Sequence, residues 1–74
     1  MQSIPITFEY QGTPFIGYFT RVSGAGESSI WYLFNEGHYY QGRLRMTESG
    51  NWVFEGSKMN EMASFFAKMI EDAR

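Results

Sequence analysis

The chain predicts a two-layer α+β domain: an antiparallel β-meander of about five strands with one C-terminal helix packed on one face. Three observations predict it. Short runs rich in β-branched and aromatic residues occupy 4–10, 15–22, 30–35, 39–46 and 51–55, each bounded by a glycine-bearing turn signal. The connections are too short for the crossover that a parallel pair needs, so neighbouring runs pair antiparallel. From about residue 58 to 73 the turn signals stop and apolar residues recur at helical spacing.

Strand one puts Ile4, Ile6, Phe8 and Tyr10 on one face and Pro5, Thr7 and Glu9 on the other, a half-buried alternation. Gln11-Gly12, ahead of Thr13-Pro14, marks the turn into strand two. Strands two and three, "FIGYFTRV" and "IWYLFN", are apolar on both faces. Either both faces are covered, or one face is an exposed aromatic surface. Between them "SGAGESS", residues 23–29, is a Gly/Ser loop.

A two-residue Glu36-Gly37 turn would set Phe34 beside Tyr39 and Tyr32 beside Gln41. Trp31 and Leu33 would then join the core, with Trp31 covering Gly42. Strand four divides by parity: Tyr40, Gly42, Leu44 and Met46 read as core, and Tyr39, Gln41, Arg43 and Arg45 as the open side. His38 is a turn residue. A three-residue Glu48-Ser49-Gly50 loop with Gly50 left-handed pairs Met46 with Trp52 and Leu44 with Phe54. It brings the apolar sets of strands four and five together, away from Val53 and Glu55.

The helix carries a stripe of Met59, Met62, Ala63, Phe66, Met69 and Ile70, with Phe65 at its edge. Ser57 or Asn60 is the expected N-cap. Glu61 suits the positive helix start, while Glu71 and Asp72 oppose the dipole at the far end. One helix covers part of one sheet face and leaves the other open.

Composition bounds the function. Seventy-four residues are expected to form one domain, 1–74. There is no cysteine for a disulfide, and the one histidine, His38, cannot supply a zinc site by itself. Seven Phe, five Tyr and two Trp favour a dense aromatic core. A net charge of −2 disfavours broad nucleic-acid binding. "MQSIPITFEY" does not read as a secretory leader, and no window approaches a membrane span, so a soluble, cytoplasmic protein is expected.

No catalytic, cofactor or metal motif survives inspection, and a non-enzymatic protein is expected. Ser28 and Ser29 lie at the opposite end of strand three from His38, beyond hydrogen-bond reach, so no nucleophilic triad forms with Asp72. "GAG" at 24–26 runs into a strand rather than opening a helix, so it is no phosphate cradle. Glu9 and Glu55 read as solvated strand residues. The remaining candidate is the open sheet face, with Tyr18, Tyr32, Phe34, Tyr39, Arg43 and Arg45 as its residues. Aromatics with arginine are enriched at protein interfaces, so a contact with a second copy of the chain or with another protein is the preferred expectation. The alternative is single-stranded nucleic acid, whose bases would stack on the aromatics and whose phosphates would meet the arginines.

Overall fold

The computed structural model describes residues 3–21 and 30–73. Among these residues, five antiparallel strands form one sheet in chain order: β1 (Ser3–Tyr10), β2 (Thr13–Arg21), β3 (Ile30–Asn35), β4 (Tyr40–Met46) and β5 (Trp52–Gly56). A 3-10 turn, Asn60–Met62, leads into the helix α1 (Ala63–Ala73). The architecture is the α+β meander that the alternation predicts. Val22, the Gly/Ser loop with "GAG", and Ser28 and Ser29 lie outside the described residues.

Gln11 and Gly12 both have positive φ, 51° and 80°. That is the type I′ turn whose twist suits a two-residue hairpin. It pairs Ile4 with Phe19, Ile6 with Gly17 and Phe8 with Phe15. β3 follows with Phe19 opposite Leu33 and Tyr18 opposite Phe34. These registers separate the two faces of β2 and β3. Phe19, Trp31 and Leu33 are buried, while Ile16, Tyr18, Tyr32 and Phe34 lie on the other side, partly or fully exposed.

The β3–β4 turn corrects the two-residue expectation. Asn35 N donates to the Tyr39 carbonyl at 3.0 Å and His38 N donates to the Asn35 carbonyl at 2.9 Å, with His38 at φ 67°. The turn is therefore three residues, Glu36-Gly37-His38. The Asn35 side-chain oxygen braces it by accepting from Gly37 N at 2.9 Å and Tyr39 N at 3.0 Å. The extra residue puts Tyr40, not Tyr39, opposite Phe34. A shift then follows: Leu33 pairs with Gly42, leaving Gln41 as the extra residue of a bulge. Beyond it the parity of Gly42 and Leu44 is restored to the core side, while Tyr40 comes to the open face and Tyr39 leaves it.

The β4–β5 register is as expected, but Met46, expected in the core, is 39% exposed at the end of the strand. Met46 pairs with Trp52 and Leu44 with Phe54 around a left-handed Gly50, φ 90°. Thr47 N donates to the Asn51 carbonyl at 2.7 Å and Gly50 N to the Thr47 carbonyl at 3.0 Å.

The helix starts later than about residue 58, and neither Ser57 nor Asn60 caps it. Met59 occupies the cap position of the 3-10 turn, left-handed at φ 70°, with no side-chain cap bond. Burial of its side chain, 1% exposed, fixes that position. Asn60 instead accepts from Gly56 N at 3.0 Å. Phe66, Ala67 and Ile70 are the helix residues driven fully into the core, with Met62, Ala63 and Met69 packed around them. Phe66 is the hub, meeting the rings of Phe54, Phe19 and Phe8 edge-on at 4.9, 5.3 and 5.4 Å. Edge-to-face pairs of this kind add to the area they bury. No helix among the described residues is long and apolar enough to cross a membrane.

Candidate functional site

The helix lies over the face that carries Ile4, Ile6, Phe19, Trp31, Leu33, Leu44 and Phe54. The other face has no cover among the described residues, and its centre is aromatic. Tyr18 and Phe34 stack with ring centres 5.4 Å apart and planes 20° from parallel. Tyr40 meets Phe34 at 5.9 Å and 66°, and Tyr32 at 5.6 Å and 87°. Four rings from three strands thus form one contiguous patch, bordered by Ile16 at 48% exposure. A chain of this size ordinarily spends its aromatics on the core, so a second aromatic cluster on the open side is the informative feature.

Beside the patch lies a charged group built by the β4–β5 register, which sets Arg43 opposite Glu55. Arg43 Nε donates to Glu55 Oε1 at 2.7 Å, and an Arg45 terminal nitrogen donates to Glu55 Oε2 at 2.9 Å. Each oxygen of one carboxylate is held by a different guanidinium. Hydrogen bonds from Arg45 and Arg43 hold the Glu55 pKa at about 2, and both arginine pKa values are raised in return. The group carries two positive charges and one negative, leaving a surplus of +1 on this end of the face. Arg45 Nε is shielded from solvent and has no acceptor among the described residues.

At the other end of the strands, the left-handed His38 brings its Nδ1 to 2.7 Å from the Tyr18 hydroxyl, with its ring edge-on to Tyr18 at 5.7 Å. Glu36 N donates to the Ile16 carbonyl at 2.9 Å, so the β2–β3 ladder continues past Asn35. Alternation then sets Glu36 on the same side as Phe34. Glu36 is exposed and makes no ion pair among the described residues.

Of the six residues expected on this face, Tyr18, Tyr32, Phe34, Arg43 and Arg45 are brought together. Tyr39 is not. It is 73% exposed at the turn and forms no ring pair with the four rings of the patch, because the three-residue turn carries it past the sheet. Tyr40, expected in the core, takes its place. Glu55 was legible: once Leu44 pairs with Phe54, Arg43 falls beside Glu55. His38 carried no readable signal, because nothing in the sequence marks it as left-handed. Glu9 and Glu55 lie on the two opposite edge strands, β1 and β5, and do not form a carboxylate pair.

The sheet edges are less available than this face. Tyr10 and Thr13 close the first hairpin. Counting from that bonded pair, alternation directs the Ser3, Thr7 and Glu9 N–H groups outward from β1 and leaves Pro5, which has no N–H, between them. On β5 the Gly56 N–H is taken by Asn60 Oδ1. Interrupted donor rows of this kind discourage edge-to-edge pairing. No group of three or more His, Cys, Asp or Glu among the described residues is placed to hold a metal ion. No protein family, no curated protein and no solved structure matches the chain.

Proposed function

We propose that this protein is a small, non-enzymatic interaction module that associates with a second copy of itself through the open sheet face. The observation that carries it is the contiguous patch of Tyr18, Phe34, Tyr32 and Tyr40 on the side the helix does not cover. Rigid aromatic rings lose little freedom on binding and bury a large area, which is why they anchor interfaces. The blunted edges favour face-to-face over edge-to-edge contact.

Single-stranded nucleic acid is the weaker candidate for the same face. Its phosphates need guanidiniums free to receive them. Both arginines here are already engaged by Glu55, and Glu36 adds another carboxylate to the same side.

Five strands spaced ~4.8 Å apart and about 20 Å long give a footprint of roughly 500 Å². That is below the ~800 Å² per partner of a standard interface, so affinity in the micromolar range is expected. Sedimentation velocity of the full chain from about 1 to 100 µM, spanning such a Kd, should show a shift from monomer to dimer. Tyr40→Ala should weaken it at least tenfold, about 1.4 kcal/mol, while Tyr39→Ala leaves it unchanged. A concentration-independent monomer, or equal effects of the two substitutions, refutes the proposal. A fluorescent oligonucleotide titrated at low salt forms the second arm: saturable binding lost in Arg43→Ala would transfer the face to nucleic acid.

A further inference from the structure

We infer that the two copies are related by a two-fold axis that runs across the strands through the Tyr18–Phe34–Tyr40 row, so that Glu36 of each copy completes the Arg43–Arg45–Glu55 group of the other. This inference rests on the self-association proposed above and adds the arrangement of the partner.

Arg43, Arg45 and Glu55 are one carboxylate short of neutrality. Glu36, on the same face by alternation, is exposed and unpaired among the described residues. Within one chain the two cannot meet, because they lie on opposite sides of the aromatic row. Glu36 is two residues beyond Phe34 along the chain. Arg43 pairs with Tyr32, which is two residues before Phe34. At ~3.3 Å per residue both stand about 7 Å from the row, in opposite directions.

A two-fold axis reverses direction along the strands while returning each ring of the row to the neighbourhood of its own counterpart. It therefore brings Glu36 of one copy over the Tyr32–Arg43 pair of the other, twice per dimer. An isologous interface requires this reciprocity: if residue i meets residue j, then j meets i. The strands of the two sheets run along nearly the same line in this arrangement, which is the aligned packing that sheet twist favours. Each end then holds two guanidiniums and two carboxylates. An axis along the strands keeps Glu36 at its own level beyond the row and Arg43 at the Tyr32 level before it, so the two never meet and the compensation is lost.

Charge exchange tests it in the full-length chain. Glu36→Arg should weaken dimerisation at least tenfold by setting three positive groups together at each end. Arg43→Glu should weaken it similarly, and Arg45→Glu serves as the second variant if loss of the Arg43 pairing disturbs the hairpin. An equimolar mixture of E36R and R43E should form a heterodimer with near wild-type affinity, because one contact is native and the other is its reverse. The double variant E36R/R43E should recover the homodimer. A wild-type dimer that is indifferent to Glu36→Arg, or a mixture that stays monomeric while each variant keeps the wild-type circular dichroism, overturns the two-fold arrangement and leaves self-association standing. A wild-type chain that is monomeric throughout the concentration range removes both.

Discussion

Replacing Gly42 with alanine probes the packing behind the bulge that returns Gly42 and Leu44 to the core side. Gly42 has φ +152°, and a Cβ there would lie 2.6 Å from Phe54 Cζ and 2.7 Å from the Glu55 carbonyl oxygen. Neither obstacle moves freely. Phe54 is 3% exposed and packed edge-on against Phe66, and the Glu55 carbonyl belongs to the partner strand. A residue held at an unfavourable φ costs about 1–3 kcal/mol, and overpacking a filled site costs about 1–3 kcal/mol more. The expected loss is therefore about 4 kcal/mol, against a total stability on the order of 4–11 kcal/mol for a chain of 74 residues. Gly12→Ala is the matched control. It too has positive φ, 80°, but nothing lies within 4 Å of its Cβ position. Only the backbone penalty of about 1 kcal/mol applies there. With a urea m-value of ~1 kcal/mol/M, the midpoint should fall by about 4 M in Gly42→Ala and about 1 M in Gly12→Ala. Circular dichroism at one fixed protein concentration measures both under the same association conditions. If both variants lose 1 M or less, Phe54 and Glu55 yield freely, and the packing behind Gly42 does not hold the bulge.

Two further outcomes follow from local geometry. The Glu55 pKa is depressed from 4.5 to about 2 by the hydrogen bonds from Arg45 and Arg43, so its contribution to stability is present above the unfolded value and is lost as pH falls through about 2. Glu55→Gln should flatten the acid limb of the stability profile within that window and leave the slope above it unchanged; an unaltered acid limb would contradict the paired geometry. Gln11 occupies the first left-handed position of a type I′ turn, φ 51°, where asparagine is favoured. Gln11→Asn should therefore stabilise the chain by about 0.5 kcal/mol, a Tm rise of about 2–4 °C by thermal melt, and a fall in Tm would contradict the turn type.

The three-residue turns show where the sequence can be read and where it cannot. Glu48-Ser49-Gly50 and Glu36-Gly37-His38 close the same way, each with a left-handed third residue. Glycine at position 50 announces that conformation, so the β4–β5 register, and with it the Arg43–Glu55 pairing, follows from the sequence. Histidine at position 38 does not announce it, and Gly37 beside it points to a shorter turn. One residue of turn length then exchanged Tyr39 for Tyr40 on the open face. The helix stripe was readable for a similar reason: Phe66 and Ile70, four residues apart, are both buried, while Met59 reaches the core from a left-handed position ahead of the helix. Ala67, inside that stripe, is small enough to fit either environment and gave no signal.

By itself the sequence determined the α+β class, the number and order of the strands, the helix stripe and the last hairpin, because each depends on periodicity or on a local glycine. Only the tertiary structure decided which faces of β2 and β3 are open, that Tyr18, Phe34, Tyr32 and Tyr40 form one patch, and that Asn60 accepts the Gly56 N–H at a sheet edge rather than capping a helix. Those outcomes depend on how far each strand slides along its neighbour. With residues apolar on both sides, either choice buries a hydrophobic face, and the choice is made by the neighbouring hairpins: the type I′ turn at Gln11-Gly12 and the Asn35-braced turn that holds His38 left-handed.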